Sequence, residues 1–352
     1  MLRKGATFWS VLVLASSLVI AGCAPKKEST TTTGAPTKIQ ITGAGSTFVN
    51  PIMSRWSSEY EKLAGVQVNY QSIGSGGGIQ QFKEGTIDFG ATDVTVSEEE
   101  EKSFTRSFVQ FPVVAGTVAI VYNLPGFTEN LKLTPAVLVD IFLGKIKKWN
   151  DPRLSLLNPG VNLPNMDIVV VHRSDGSGTT YILTDYLSTV SEEWKQKVGR
   201  GKSVSWPVGV GGKGNEGVTG QVKQLPGAVG YVELNYARQN NLTFAAIQNT
   251  AGTFVLPSQE TGAEATRVAV ERLKTDIRSS VVNMPGGNSY PITGFVYVLV
   301  DKQPKDAAKG AEVKKFFEWV LKEGQKMAGE LDYVPLADEA VQMSLAKLAE
   351  VP

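Results

Sequence analysis

Cysteine and histidine are almost missing from this 352-residue chain, which holds one of each, Cys23 and His172. A lone thiol cannot form an internal disulfide, and one histidine with one cysteine is too small a ligand set for a zinc site. Carboxylate spacing offers no support for a hard-cation site either. Charge of one sign is also lacking. Lys and Arg number 35 against 34 Asp and Glu, a net charge of +1. Residues 1–22 carry Arg3 and Lys4 and no acid, so without them the charge is two lower, about −1. Nucleic-acid binding usually needs a clear basic surplus, which this chain does not have. Residues 8–20 form an apolar core too short to read comfortably as a spanning helix, and no repeat of fixed period is present.

What the N-terminus does have is a targeting pattern. Arg3 and Lys4 precede the short apolar core, and Ile20-Ala21-Gly22-Cys23 resembles a bacterial lipobox. Residues 1–22 are expected to be a lipoprotein signal peptide. Cys23 then becomes the N-terminal, lipid-modified residue that holds the protein on a membrane surface outside the cytoplasm. Residues 24–37 are rich in Thr, Lys and Pro, with no apolar period. That composition predicts a flexible tether. The remaining chain is long enough for two lobes rather than one core.

Strand and helix patterns alternate beyond residue 38, which predicts an α/β protein. Three strand–glycine–helix junctions stand out. Gly43-Ala44-Gly45-Ser46-Thr47-Phe48 follows a strand-like stretch, 38–42, and opens the amphipathic helix 51–63. Gly74-Ser75-Gly76-Gly77-Gly78 follows strand 66–72. Arg173-Ser174-Asp175-Gly176-Ser177-Gly178-Thr179-Thr180 follows Ile168-Val169-Val170-Val171 and opens a helix through 190. Free N–H groups at helix N-termini attract anions, hydroxyl residues add donors, and arginine adds a planar fork suited to oxyanions. Three such junctions together predict a site that surrounds a small tetrahedral oxyanion. Each has a plainer alternative: capping for Ser46, Thr47 and Ser75, and an ion pair with Asp175 for Arg173. Asp175 can do both, orienting the guanidinium while other donors face the ligand.

The long β-branched runs 113–122 and 290–300 read as two crossings between lobes, placing 38–120 with 290–352 in one lobe and 121–289 in the other. Ser97 to Lys102 holds four consecutive glutamates, read as a solvated helix start favoured by the macrodipole. Gly209-Val210-Gly211-Gly212-Lys213-Gly214 matches the dinucleotide fingerprint, with Glu233 nineteen residues on. Pro207 and the absence of a compact βαβ unit argue against that use, and Lys213-Gly214 fails as a nucleotide P-loop. Ser177 lies outside a G-x-S-x-G elbow, and His172 is too near in sequence to serve as its base. A phosphatase or phosphotransferase would lack a convincing nucleophile, base and metal set. No catalytic residue and no cofactor is therefore expected.

These motifs, in this order, resemble the phosphate-binding proteins of bacterial phosphate ABC transporters. The likeness extends through Asp88-Phe89-Gly90-Ala91-Thr92-Asp93, Leu143 to Trp149, Gly211 to Asn215 and Leu225 to Glu233, covering nearly all of 38–349. It implies an α/β, two-lobed periplasmic-binding-protein fold, type II-like, with inorganic phosphate in the cleft between the lobes and delivery to permease subunits with their ATPase. Carried over by position, the ligand residues are Thr47, Phe48, Ser75, Asp93, Arg173, Ser177, Gly178 and Thr179, with Ser46 beside them. Phe48 and Gly178 would act through backbone N–H. Ser46, Gly76 and His172 depart from the family pattern, which often has Ala, Ser and Arg there. Related binders of sulfate or molybdate, or a surface lipoprotein without a transporter, remain alternatives.

Overall fold

A computed structural model describes residues 39–352. The signal, lipobox and tether, with Cys23, lie outside the described residues. The chain first runs β1 (Gln40–Gly45), α1 (Asn50–Ala64), β2 (Gln67–Ser72), α2 (Ser75–Glu84), β3 (Phe89–Thr92), the short α3 (Glu98–Glu101) and the long β4 (Phe108–Tyr122). Its middle comprises β5 (Lys132–Leu133), α4 (Pro135–Phe142), α5 (Pro152–Leu157), β6 (Val169–Arg173), α6 (Gly178–Val190), α7 (Glu192–Lys197), β7 (Val210–Gly212), α8 (Gly214–Gln224), β8 (Ala228–Glu233) and α9 (Leu234–Gln239). Short strands β9 (Thr243–Phe244), β10 (Ala246–Gln248) and β11 (Phe254–Val255) follow. Helix α10 (Gln259–Thr275), strand β12 (Thr293–Asp301), and helices α11 (Ala307–Lys322) and α12 (Asp338–Leu348) complete it.

One sheet has the order β2-β1-β3-β12-β4-β8-β6-β7, with β9 beside β4. Strand β1 is parallel to β2 and β3, and β6 is parallel to β7 and β8. The antiparallel β12 and β4 join these two halves. β4 pairs with β12 through Thr117 and with β8 from Val118 onward, so it carries the chain from one half to the other. Pro112 has no N–H to give, and the β12 register slips opposite it, between Val296 and Tyr297. β12 is buried along its whole length, which explains its continuous apolar run.

Helix α1 shows how local pattern becomes packing. Ile52, Met53, Trp56 and Tyr60 fall on one face and are buried, each contributing roughly 1.5–3 kcal/mol of hydrophobic stabilisation. Leu63 was expected on that face, yet it is 68% exposed; the covered stripe ends at Tyr60. A second expectation also changes: Gly43 to Gly45 belong to β1, and the turn is Ser46 to Val49. Helix α8 was not anticipated, because its glycine-rich sequence carries a poor intrinsic helix signal. It forms because Val218 and Val222 are buried beside Val171 and Val232 in the core of this half.

Candidate functional site

The three anticipated junctions converge at the carboxyl ends of parallel strands, where open α/β sheets place ligands. Ser46, Thr47 and Phe48 follow β1, Ser75 opens α2 and Asp93 follows β3. Arg173 ends β6, Ser177 caps α6, and Gly178 and Thr179 form its first turn. Ser46, Thr47, Phe48, Ser75, Asp93, Arg173, Ser177 and Thr179 are all buried. Backbone shape permits the approach of the two halves. A Cβ on Gly178 would sit 2.5 Å from Asp93 and 2.6 Å from Ser75 Oγ. Gly74 has φ +87°, and a Cβ there would lie 2.3 Å from Asp175 Oδ2. Gly76 N–H donates to the Gly176 carbonyl at 2.8 Å. Its own missing side chain, one of the departures from the family pattern, lets those backbones meet.

The hydroxyls share one arrangement: each accepts a hydrogen bond from a fixed N–H. Thr47 Oγ1 accepts from Asn215 N (3.1 Å) and Nδ2 (2.7 Å). Ser177 Oγ accepts from Thr180 N at 3.0 Å. Thr179 Oγ1 accepts from Asn215 Nδ2 (3.3 Å) and Arg173 Nη1 (3.4 Å). An oxygen that accepts in this way keeps its own proton to donate. The result is a set of neutral donors suited to a desolvated anion.

Charge is almost balanced. Arg173 Nε and Nη2 hold the two Asp175 oxygens at 2.7 and 2.6 Å, a bidentate pair. Part of the guanidinium's fork of five donors remains unspent. Burial alone would raise Asp175, but Arg173 and the Gly214 N–H outweigh it and hold it below the usual carboxylate range. Asp93 goes the other way. Burial pushes it up to about 7, against the opposing pull of Ser46, Arg173 and Ser75. Ser46 Oγ is hydrogen-bonded to Asp93 Oδ1, and Ser75 Oγ accepts the Asp93 N–H at 3.2 Å. Asp93 also borders a cavity of about 40 Å³ shared with Thr95, Tyr181 and Ser280, room for a few waters. With its pKa raised on folding, Asp93 contributes stability that is fully present below its unfolded value and lost as pH rises through about 7. In unliganded protein, Asp93→Asn should flatten that part of the stability-versus-pH curve, as thermal melts from pH 5 to 8 would register.

The architecture has known counterparts. A family model described as a PBP superfamily domain matches residues 30–323. The phosphate-binding protein PstS of Xylella fastidiosa is 45% identical over 349 residues, 95% of each chain. PstS of Pasteurella multocida is 50% identical over 303 residues, 86% of this chain and 88% of that one. The chain belongs to the PstS phosphate-binding protein family. That family consists of binding proteins for transport and not of enzymes. A Clostridium perfringens structure described as a phosphate ABC transporter substrate-binding protein with bound phosphate shares the two-lobed fold. Its TM-score is 0.60 at 18% identity, over 85% of this chain and 100% of that one.

Within this family fold, several residues near the site escaped the sequence reading. Asn215 ties Thr47 to Thr179, and its Oδ1 accepts the Glu233 N–H at 2.9 Å. Tyr236 donates to the Thr47 carbonyl at 2.7 Å. Tyr231 accepts from Arg173 N at 3.0 Å and pairs with Thr180. Asn215 closes the glycine motif 209–214, which is a strand–helix turn: β7 ends at Gly212 and α8 starts at Gly214. Thus a fourth helix N-terminus joins the three expected, its Gly214 N–H reaching Asp175 at 3.0 Å. Glu233 is buried and caps α9 through Asn235 N at 2.9 Å, so it is not placed to meet a ribose. His172 stacks on Trp206, ring centroids 5.0 Å apart. The four-glutamate run does begin a helix, with a capping box at Ser97, but Glu100 and Glu101 are paired rather than merely solvated. Among the described residues no group of His, Cys, Asp and Glu is arranged to hold a metal, and no helix is long and apolar enough to cross a membrane.

Proposed function

We propose that this chain binds inorganic phosphate outside the cytoplasm and delivers it to an ABC transporter permease and its ATPase for import. The observation that carries this reading is the set of buried hydroxyls at Thr47, Ser177 and Thr179, each fixed by N–H donors and each with a proton left to give. Membership of the PstS family supports the choice of anion. In this reading Thr47, Ser75, Ser177 and Thr179 donate hydroxyl protons, Phe48 and Gly178 donate backbone N–H, and Arg173 adds its spare guanidinium protons. Asp93 accepts a hydrogen bond from the O–H that phosphate keeps. Ser46 acts mainly through Asp93, and Asp175 aims Arg173. Residues 38–120 with 290–352 form one lobe and 121–289 the other. The handover of β4 from β12 to β8 at Thr117 and Val118 supports that division. Opening of the lobes admits the ligand and closing completes the donor shell, a hinge motion.

Calorimetric titration of residues 38–352 with phosphate, sulfate and molybdate tests the assignment. Tight binding of phosphate alone is expected. Sulfate or molybdate binding as strong as phosphate would overturn it.

Anchoring through Cys23 belongs to the same reading, supported by the Ile20-Ala21-Gly22-Cys23 motif. Cys23→Ser should abolish labelling by a fatty-acid analogue in cells and release the protein from membranes. Equal labelling of the variant would remove the lipid anchor from the scheme.

A further inference from the structure

The glutamate run after β3 has a use that the anion cradle does not require. The α3 capping box occupies Glu100 Oε2, which accepts the Ser97 N–H at 3.2 Å. Its other oxygen, Oε1, is paired with Lys202 Nζ. The neighbouring Glu101 is engaged by Arg278 at 2.7 Å. Glu100 is therefore pre-oriented by its own helix cap, with one oxygen offered outward.

Lys202 is tied to the cradle by its main chain. Its carbonyl accepts the Ser177 N–H at 2.8 Å. The segment leading to it is stapled to α6: Gly201 N donates to Thr184 Oγ1 at 3.1 Å, and Arg200 pairs with Asp185 at 3.0 Å. So the backbone of Lys202 belongs with the β6–α6 junction. Its side chain ends on α3, at Glu100, seven residues beyond Asp93 and in the other half of the sheet. The pair is half-sheltered, with side chains 23% and 42% exposed, so salt can reach it.

We propose that Lys202 is a positioning residue for phosphate retention, its ion pair with Glu100 latching the α6 junction to the α3 segment and holding the closed cleft shut over the anion. The proposal rests on the phosphate reading above. A latch formed only on closure slows release and leaves capture by the open form unchanged, because Lys202 lies outside the proposed donor set. A partly exposed pair of this kind is expected to change the release rate by up to about fivefold.

The experiment is stopped-flow release and capture of labelled phosphate by the purified full-length protein, at low and high NaCl. The set is wild type, Lys202→Met, Lys202→Arg, Glu100→Gln and the Met/Gln double variant, with thermal melts confirming folding. Wild type should release faster as salt rises. Lys202→Met and Glu100→Gln should each release two- to fivefold faster at low salt and lose that salt dependence. The double variant should be no faster than either single, and Lys202→Arg should match wild type. Unchanged release rates, effects that add in the double variant, or slower capture instead of faster release would each overturn the latch while leaving phosphate binding intact. Wild type that captures no phosphate would overturn the underlying reading itself.

Discussion

Arg173→Ala is expected to weaken phosphate binding by at least about thirtyfold. Removing one partner of a buried, hydrogen-bonded charge pair costs about 2–5 kcal/mol in comparable interfaces, much of it from the charge left behind. Here that remaining charge is Asp175. It lies against Arg173 at 2.6 Å and is held below the usual carboxylate range chiefly by that pair, in opposition to burial. Without the guanidinium, phosphate would meet an uncompensated carboxylate as well as lose its own donors. Ser177→Ala removes one hydroxyl, and the Thr180 N–H loses its acceptor. That change costs about 0.5–1.5 kcal/mol net, or up to ~3 kcal/mol if the abandoned group stays buried. The order is therefore Arg173→Ala well below Ser177→Ala in affinity. Because Asp175 supplies part of the penalty, Arg173→Ala with Asp175→Asn should bind better than Arg173→Ala alone. Calorimetry on the three variants decides it. Wild-type affinity in Arg173→Ala would reduce Arg173 to a structural ion-pair residue and misplace the site.

Asp93→Asn is expected to narrow the gap between phosphate and sulfate. A carboxylate in an anion site repels strongly when both charges are dry, unless the ligand carries a proton to donate. Phosphate near neutral pH keeps an O–H, and sulfate can only accept. Ionised Asp93 therefore gains a charge-assisted bond to phosphate and faces sulfate with lone pairs on both sides. Arsenate resembles phosphate in its protonation and should compete partially. The raised pKa sets the direction with pH. Sulfate binding requires Asp93 to hold a proton, so above about 7 its affinity should fall by up to tenfold per pH unit and level off below. In Asp93→Asn the amide donates at every pH, so this dependence should vanish. Competition against labelled phosphate from pH 6 to 8.5, on both proteins, checks the pair of statements. Wild-type protein that binds sulfate and phosphate alike at pH 8 would refute the role given to Asp93.

Residues 173 to 179 were legible because strand end, glycine turn and helix cap are neighbours in the chain. Their geometry follows from local rules for dihedral freedom and capping. The amphipathic period of α1 was legible for the same reason, and failed only at Leu63, which is 68% exposed on the last turn. By contrast, Asn215 holds Thr47 across 168 residues and Tyr236 holds it across 189. No periodicity or spacing encodes such a partnership, because a polar side chain declares its partner only when the sheet order has been set. The same is true of charge. The sequence by itself determined that Arg173 and Asp175 would stand at a strand–glycine–helix junction, and the family resemblance brought Asp93 to them. The Arg173–Asp175 pair, two residues apart, was readable too; only the tertiary structure decided that burial would lift Asp93, and that two glutamates read as solvated would be paired with Lys202 and Arg278. Electrostatics depends on distance and desolvation, and both arise when remote segments pack.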